Sequence, residues 1–157
     1  MTPMRRLLSV LLLLSLALAG CSSGPSANAE RPADIAKPQI TFGQRGGEIY
    51  FGSGEEASVQ FDVEITNRAR VPLLVREVEV SSPEMMQYQI TRSVRAYNET
   101  IPPGETRTLQ LTARAVTSST ARRQYDEPLS LRGLVRFEAD GKRFLEIVRQ
   151  RIVRQTR

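Results

Sequence analysis

The sequence predicts an all-β domain made of antiparallel strands, and three observations support this prediction. First, apolar residues at 59, 61, 63 and 65 alternate with polar ones, the period of a strand with one buried face and one wet face. Second, turn signals recur roughly every ten residues between apolar segments. Third, Asp140-Gly141 separates two apolar segments, and this dipeptide favours the type I′ turn of a β-hairpin.

Shorter patterns predict the other strands. They fall at residues 40–42, 48–51, 73–80, 109–115, 129–137 and 143–153. Ile101-Pro102-Pro103-Gly104-Glu105-Thr106 predicts a type II turn, because proline presets a negative φ and glycine accepts a positive one. Residues 85–97 fit a helical spacing as well as an alternating one, and their β-branched and aromatic content favours a strand. Residues 117–128 read as a polar connection.

Seven to eight strands in about 115 residues predict an immunoglobulin-like sandwich of two antiparallel sheets. Cys21 is the only cysteine, so the domain is expected to hold no internal disulfide. A chain of this size can build one ordinary hydrophobic core without such a link. We therefore predict a single domain at residues 38–157.

The N-terminus has the three parts of an export signal. Arg5 and Arg6 supply positive charge, residues 7–19 form an apolar stretch with eight leucines, and small residues follow. Thirteen residues of helix reach only about 20 Å, which is short of the roughly 30 Å hydrocarbon core of a bilayer. The segment is therefore read as a cleaved signal peptide at residues 1–20.

The run Leu18-Ala19-Gly20-Cys21 resembles the lipobox of bacterial lipoproteins. The resemblance implies cleavage between Gly20 and Cys21 and attachment of lipid to the Cys21 sulfur, which would anchor the protein to a membrane. Ser22 stands where aspartate favours retention in the inner membrane in Gram-negative members. The resemblance therefore implies the inner leaflet of the outer membrane, facing the periplasm. Residues 21–37 are small, polar and proline-bearing, as expected of a flexible linker.

Part of the domain resembles the water-stress and hypersensitive-response domain of type 2 late-embryogenesis-abundant proteins. The similar parts are a strand ending in Asn67, the run Val71-Pro72-Leu73-Leu74-Val75, and the proline-glycine turn at residues 101–106. The resemblance covers residues 59–115 and implies an immunoglobulin-like sandwich with a non-catalytic, protective role. This chain has Asn67-Arg68-Ala69 where the family tends to have an asparagine-proline-asparagine turn.

Charge narrows the class of partner. The formal net charge is +5, and all but two of the 22 basic residues are arginine, a side chain that pairs bidentately with phosphate and carboxylate. From Lys142 onward six basic residues face one acid, Glu146. This tail could attract lipid phosphates or an acidic polymer, or it is simply solvated. Nucleic acid is not an expected partner of an exported protein.

The sequence offers few groups for catalysis. It contains no histidine, which removes the usual general base and the imidazole metal ligands. Met85 and Met86 are soft ligands of the kind copper takes, but an adjacent pair points to opposite faces of a strand, so Met86 is read as a core residue and Met85 as half exposed. We therefore expect neither a metal nor a cofactor. The remaining acid–base candidates are carboxylates near turns, namely Glu55, Glu56, Asp126, Glu127, Glu138 and Asp140.

The sequence therefore favours a non-enzymatic, membrane-anchored module that binds or protects in the envelope. An accessory subunit of an envelope assembly is the alternative, and a carboxylate-dependent hydrolase is a third hypothesis. Binding is expected by addition of a partner strand to a sheet edge. The two candidate edges are Glu48, Ile49, Tyr50 and Phe51, and the last strand with Arg143, Arg149 and Arg151.

Overall fold

The computed structural model describes residues 30–46, 56–83, 88–117 and 129–152, and these ranges contain eight β-strands. The strands are β1 (Gln39–Arg45), β2 (Glu56–Thr66), β3 (Leu73–Ser81), β4 (Tyr88–Ile90), β5 (Ser93–Ile101), β6 (Thr106–Thr117), β7 (Leu129–Ala139) and β8 (Lys142–Ile152). They form two antiparallel sheets that pack as a sandwich. The predicted fold class is confirmed.

The order of strands follows the immunoglobulin pattern. Sheet A runs β1-β2-β6-β4 and sheet B runs β5-β3-β7-β8. The pairs β2–β6 and β3–β7 join segments that are far apart in the chain, as the second and fifth, and third and sixth, strands do in a constant-type immunoglobulin domain. Strand β5 extends sheet B beside β3.

Alternation along the strands builds the core. The inward residues of β2, Val59, Phe61, Val63 and Ile65, are all 2% exposed or less. They face the inner side of sheet B, where Gly133 lies under the ring of Phe42. A Cβ on Gly133 would come within 2.3 Å of that ring, so the close approach of the two sheets requires glycine here.

The predicted turns have the expected backbone. Asp140 and Gly141 have φ values of 48° and 71°, which is the two-residue pattern of a type I′ turn. Gly104 has φ of 77°, and the Glu105 N–H donates to the Pro102 carbonyl at 3.1 Å, as in a type II turn.

Asn67 fixes the end of β2. Its buried side-chain amide donates to the carbonyls of Val71 and Ile101 at 2.9 and 2.8 Å and accepts from the Ala69 N–H at 2.8 Å. The backbone of Asn67 also bonds to Gly104 and Glu105. The two motifs that carry the family resemblance, the strand-ending asparagine and the proline-glycine turn, are therefore in direct contact.

The ambiguous region 85–97 is extended where the structure describes it, since Tyr88–Ile90 is β4 and β5 begins at Ser93. The preference for a strand over a helix is confirmed there, but the stretch forms two strands in different sheets, interrupted at Thr91 and Arg92, and not one strand. Residues 84–87 lie outside the described ranges. The strand predicted at 48–51 and most of the polar connection at 117–128 also lie outside them.

Packing begins before the predicted domain start at residue 38. Residues 31–37 form a short hook, in which the Ile35 N–H donates to the Pro32 carbonyl at 3.0 Å and the Arg31 guanidinium donates to the Ile35 carbonyl. Ile35 is 2% exposed and belongs to the core. The C-terminal part of the predicted linker is therefore folded onto the domain.

Candidate binding surface around strand β8

Strand β8 lies at one edge of sheet B and pairs with β7 alone. The pairing runs from Ala139↔Lys142 to Leu129↔Ile152 without a shift in register. This regularity follows from the two-residue turn, which fixes the register of the hairpin from one end. An unbroken strand of 11 residues therefore offers its outer backbone groups along one side of the domain.

Side chains of β8 hold the hook at residues 31–37 against the edge of sheet B. Lys142 Nζ lies 3.7 Å from Asp34 Oδ2, and Glu146 Oε1 accepts a hydrogen bond from Arg31 Nε at 2.8 Å. Lys37 Nζ lies 3.9 Å from the other oxygen of Glu146, so this carboxylate, only 7% exposed, is paired on both sides. The hook at residues 31–37 is thus held on β8 by charge as well as by Ile35.

Further along β8, Gln150 joins the two sheets directly. Its side-chain amide accepts from the Phe42 N–H at 3.0 Å and donates to the Phe42 carbonyl at 2.7 Å. Phe42 belongs to β1, the edge strand of sheet A. An edge residue that would otherwise present both backbone groups to water is therefore already occupied.

At the opposite edge of sheet B, side chains of β5 bond to β6 of sheet A. Arg95 Nη1 and the Tyr97 hydroxyl both donate to the backbone carbonyl of Gln110 in β6, at 2.7 and 2.5 Å. The Arg95 guanidinium also lies 5.3 Å from the centre of the Tyr97 ring. Burial raises the pKa of the Tyr97 hydroxyl above its ordinary value, against the opposing charge of Arg95, so the hydroxyl keeps the proton it donates.

Among the four edges in the described part of the chain, β8 is the one best suited to accept another strand. The edge of β1 is occupied at Phe42, and β4 has only three residues. The pairing of β5 with β3 shifts register between Val75 and Glu77, and such a bulge disturbs an edge. Strand β8 has neither a bulge nor a proline.

The outer face of sheet B is electrostatically divided along its strands. Near the β7–β8 turn its charges are paired, because Glu138 contacts Arg76 at 3.0 Å and Arg143 at 3.4 Å, and Arg136 bonds to Glu77. The hydrogen bond from Arg76 lowers the pKa of Glu138, and Arg143 acts in the same direction. At this end of the face, opposite charges therefore largely neutralise each other.

The far end of the same face carries excess positive charge. Glu79, 6% exposed, accepts a hydrogen bond from Arg92 at 2.9 Å. That bond lowers the pKa of Glu79 although burial alone would raise it, and the charges of Arg136 and Arg132 add to the lowering. Within the described residues, Glu79 is the only acid on this part of the face.

Three arginines at this end make no ion pair with an acid in the described part of the chain, although the charge of one, Arg132, acts on Glu79; they are Arg132, Arg149 and Arg151. Arg132 lies directly opposite Arg149 in the β7–β8 pair, where like charges destabilise a sheet. The Nε atom of Arg132 is also buried without a hydrogen-bond partner. Direct juxtaposition of two cations is costly for folding alone, which makes this position a candidate for binding an anion.

The structure separates the predicted site residues into different environments. All three arginines of β8 are exposed on the outer face, but Arg143 pairs with Glu138, whereas Arg149 and Arg151 lie with Arg132 at the end of the face with excess positive charge. Gly20 and Cys21 lie outside the described residues, as do Glu48, Ile49, Tyr50 and Phe51. Their predicted roles in cleavage, lipid attachment and strand addition remain predictions.

The carboxylates considered for acid–base chemistry do not converge where they are described. Glu138 in sheet B is paired with arginines, and Asp140 occupies the hairpin turn. Glu56 and Arg114 both lie in sheet A, and their side chains are 3.3 Å apart. Glu55, Asp126 and Glu127 lie outside the described ranges, as do Met85 and Met86. The described ranges contain no group of three or more potential metal ligands.

Sequence reasoning missed Arg132 and Gln150. Arg132 was within its reach, because an Asp140-Gly141 turn of two residues places residue 132 opposite residue 149 by simple counting along the hairpin. Gln150 had no such signal, since its contact with Phe42 depends on how the two sheets stack.

Comparisons with known proteins give structural likeness without a family. The chain matches no family model and no curated protein. A protein from Archaeoglobus fulgidus is similar with a TM-score of 0.46 and 10% identity, covering 78% of this chain and 98% of its own. A Northeast Structural Genomics Consortium target has a TM-score of 0.48 at 12% identity, covering 76% and 86%.

Within the described ranges, no helix has the length and apolar character needed to cross a bilayer.

Proposed function

We propose that this chain is a non-enzymatic lipoprotein of the bacterial envelope, anchored through Cys21, whose sandwich binds an envelope partner along β8. The observation that carries the proposal is the β8 edge. It offers 11 residues in unbroken register, and no backbone partner occupies its outer side among the described residues. Binding there would extend sheet B by one strand.

The anchor is supported by the sequence around Cys21. Small residues directly precede the only cysteine, after an apolar stretch that is too short to span a bilayer. Ser22 favours the inner leaflet of the outer membrane, with the domain in the periplasm. A module at that position meets envelope proteins and acidic polymers, and the resemblance to water-stress domains favours a binding or protective role.

The arginines of β8 supply selectivity for the proposed strand addition. Arg143, Arg149 and Arg151 lie on its outer face. If two copies paired through β8, these rows would be brought together, and like charges facing each other across strands are unfavourable. The edge is therefore poorly suited to self-association, which favours a different chain as the partner strand.

The described carboxylates favour binding over acid–base catalysis. A general acid must hold a proton near the working pH. The hydrogen bond from Arg76 instead lowers the pKa of Glu138, and Glu79 is lowered in the same way by Arg92. Both groups therefore act as structural hydrogen-bond acceptors.

Metabolic labelling with an alkyne fatty acid tests the anchor. The wild-type protein should become labelled, and Cys21→Ser should not. Ser23→Ala is the matched control, because it changes a neighbouring small residue and leaves the cysteine in place. An unlabelled wild-type protein, or a labelled Cys21→Ser variant, would overturn the proposed attachment.

In-cell photocross-linking tests the β8 edge. A photoreactive residue at Arg151 should give a defined adduct, whereas one at Thr112, on the outer face of sheet A, should not. Arg149→Pro should abolish the adduct because it removes a backbone donor, while Arg149→Ala keeps that donor and should retain most of it. If both variants fold, as judged by circular dichroism, equal adduct yields would rule out strand addition. A stoichiometric adduct would further identify the chain as an accessory subunit.

A further inference from the structure

A cluster of arginines lies at the positively charged end of the outer face of sheet B, beside the edge of β8. Arg92, Arg132, Arg149 and Arg151 lie at this end, where Glu79, which bonds to Arg92, is the one acid among the described residues. We call these four residues the arginine face. Because Glu79 neutralises one of the four charges, about three remain without an acidic partner in the described part of the chain.

A row of side chains that is apolar except for Glu79 borders the arginines. Register places Val94, Glu79, Leu134 and Ile147 side by side across β5, β3, β7 and β8. Leu134 is only 8% exposed although it lies on the outer face, while Val94 and Ile147 are 46% and 48% exposed. These two are the large hydrophobic side chains that the described structure leaves exposed. Exposed apolar groups beside arginines are the combination that a membrane interface accommodates.

We propose that the arginine face docks the domain onto an anionic phospholipid bilayer, with arginines on lipid phosphates and Ile147 at the acyl boundary. This inference rests on the proposed lipid anchor, which keeps a bilayer close by. Arginine suits the role because its guanidinium binds phosphate bidentately. Lipid phosphates would also supply the anion that the facing pair Arg132 and Arg149 lacks.

Distances along the chain allow this docking. The hook meets β8 at Glu146 through Arg31, and Arg149 lies three residues further on, about 10 Å along an extended strand. Nine residues lie between Cys21 and Arg31, and a chain of ten steps can reach at most about 33 Å. The lipid and the arginine face can therefore reach the same surface.

The chain contains four tyrosines but no tryptophan, so Ile147→Trp would introduce a single indole into the lipid-modified protein, which can be excited selectively at a wavelength that tyrosine does not absorb. In vesicles containing phosphatidylglycerol, its emission should shift to the blue and be quenched by brominated acyl chains. In phosphatidylcholine vesicles both effects should be absent, because the choline cation balances each phosphate and the surface carries no net negative charge. Thr112→Trp, on the opposite face of the sandwich, should show neither effect in either vesicle.

Neutralising the arginines should release the face. Arg132→Gln and Arg149→Gln should each lower the ratio of docked to undocked protein about fivefold, since a basic residue near an anionic surface contributes on that scale. Arg114→Gln makes the same charge change on sheet A and should leave the ratio unchanged. Raising the salt concentration should reverse docking, because added ions screen exposed charges.

Three results would overturn the proposal: an unquenched indole in anionic vesicles, equal quenching in both vesicle types, or equal quenching of Ile147→Trp and Thr112→Trp. Fatty-acid labelling of the same preparation reports separately on the anchor. A protein without label whose indole is still quenched by anionic vesicles would keep the docking surface and remove the lipid attachment.

Discussion

The side chain of Gln150 in sheet B satisfies both backbone groups of Phe42 in sheet A, donating to the carbonyl at 2.7 Å and accepting from the N–H at 3.0 Å. A glutamine amide has one acceptor and two donors in nearly the geometry of a peptide group. It therefore serves as a one-residue substitute for a neighbouring strand. This arrangement closes an edge without adding backbone.

The first prediction concerns this pair. Gln150→Ala removes both hydrogen bonds, and we expect a loss of about 2 kcal/mol in the free energy of unfolding. Urea denaturation followed by circular dichroism measures it. Gln60→Ala, an exposed glutamine on the outer face of β2, should change the stability by no more than about 0.5 kcal/mol. Equal losses in the two variants would contradict the role assigned to Gln150.

The second prediction concerns Asn67. Asn67→Ala leaves the carbonyls of Val71 and Ile101 and the N–H of Ala69 without their partner. Because these groups lie in a buried turn region, we expect destabilisation of about 3 kcal/mol. The same urea measurement on Asn98→Ala, an exposed asparagine whose side chain accepts a hydrogen bond from Arg76, should give less than about 1 kcal/mol. A small effect at Asn67 would show that solvent replaces its hydrogen bonds.

The third prediction tests the close approach of the sheets at Gly133. Gly133→Ala places a Cβ 2.3 Å from two atoms of the Phe42 ring, so the ring must move. We expect a cost of about 1–3 kcal/mol, as for other overpacked cores. Gly43→Ala is the matched control, because the nearest atom to its Cβ would be a carbonyl at the ordinary distance of 3.9 Å. Adding Phe42→Leu to Gly133→Ala should restore part of the lost stability, because the smaller side chain leaves room for the new methyl group. Thermal melts of the wild type, the two single glycine variants and this double variant would show whether it does.

The fourth prediction concerns acid stability. Since the hydrogen bond from Arg92 lowers the pKa of Glu79 in the folded state below the ordinary value of a glutamate carboxyl, the ionised form of Glu79 stabilises the fold. That stabilisation is complete above the pKa of the unfolded chain and is lost as the pH falls through the folded value. Wild-type stability should therefore decrease between neutral pH and about pH 3 more than the stability of Glu79→Gln does.

Urea unfolding at a series of pH values measures this difference. Glu64→Gln is the control, because Glu64 is an exposed acid on the outer face of β2. Its pH dependence should match that of the wild type. If Glu79→Gln also matched the wild type, the Arg92–Glu79 pair would contribute nothing to stability.

Local patterns in the sequence predicted the strands and turns well, and contacts between the sheets were beyond them. The alternation in β2, the Asp140-Gly141 turn and the proline-glycine turn depend on neighbours in the chain, and each was confirmed. The order of strands, the docking of Ile35 and the Gln150–Phe42 contact join residues far apart in sequence. No periodicity encodes such contacts.

The candidate surface was predictable in part for the same reason. Arg143, Arg149 and Arg151 stand in one strand, so their shared face followed from alternation. Their division into a paired end and an unpaired end depends on Glu138 and Glu79, which other strands bring alongside. Composition alone could not distinguish these two environments, because it counts charges without showing which of them meet.

The hook at residues 31–37 also has a mechanical consequence. Arg31 bonds to Glu146 and Ile35 is inserted into the core before the chain reaches β1. Force applied to the chain upstream of Arg31 is therefore borne first by this ion pair and this apolar plug. The backbone bonds between β1 and β2 are loaded only after these two contacts have broken. The hook therefore protects the sandwich against a force applied from the N-terminal side.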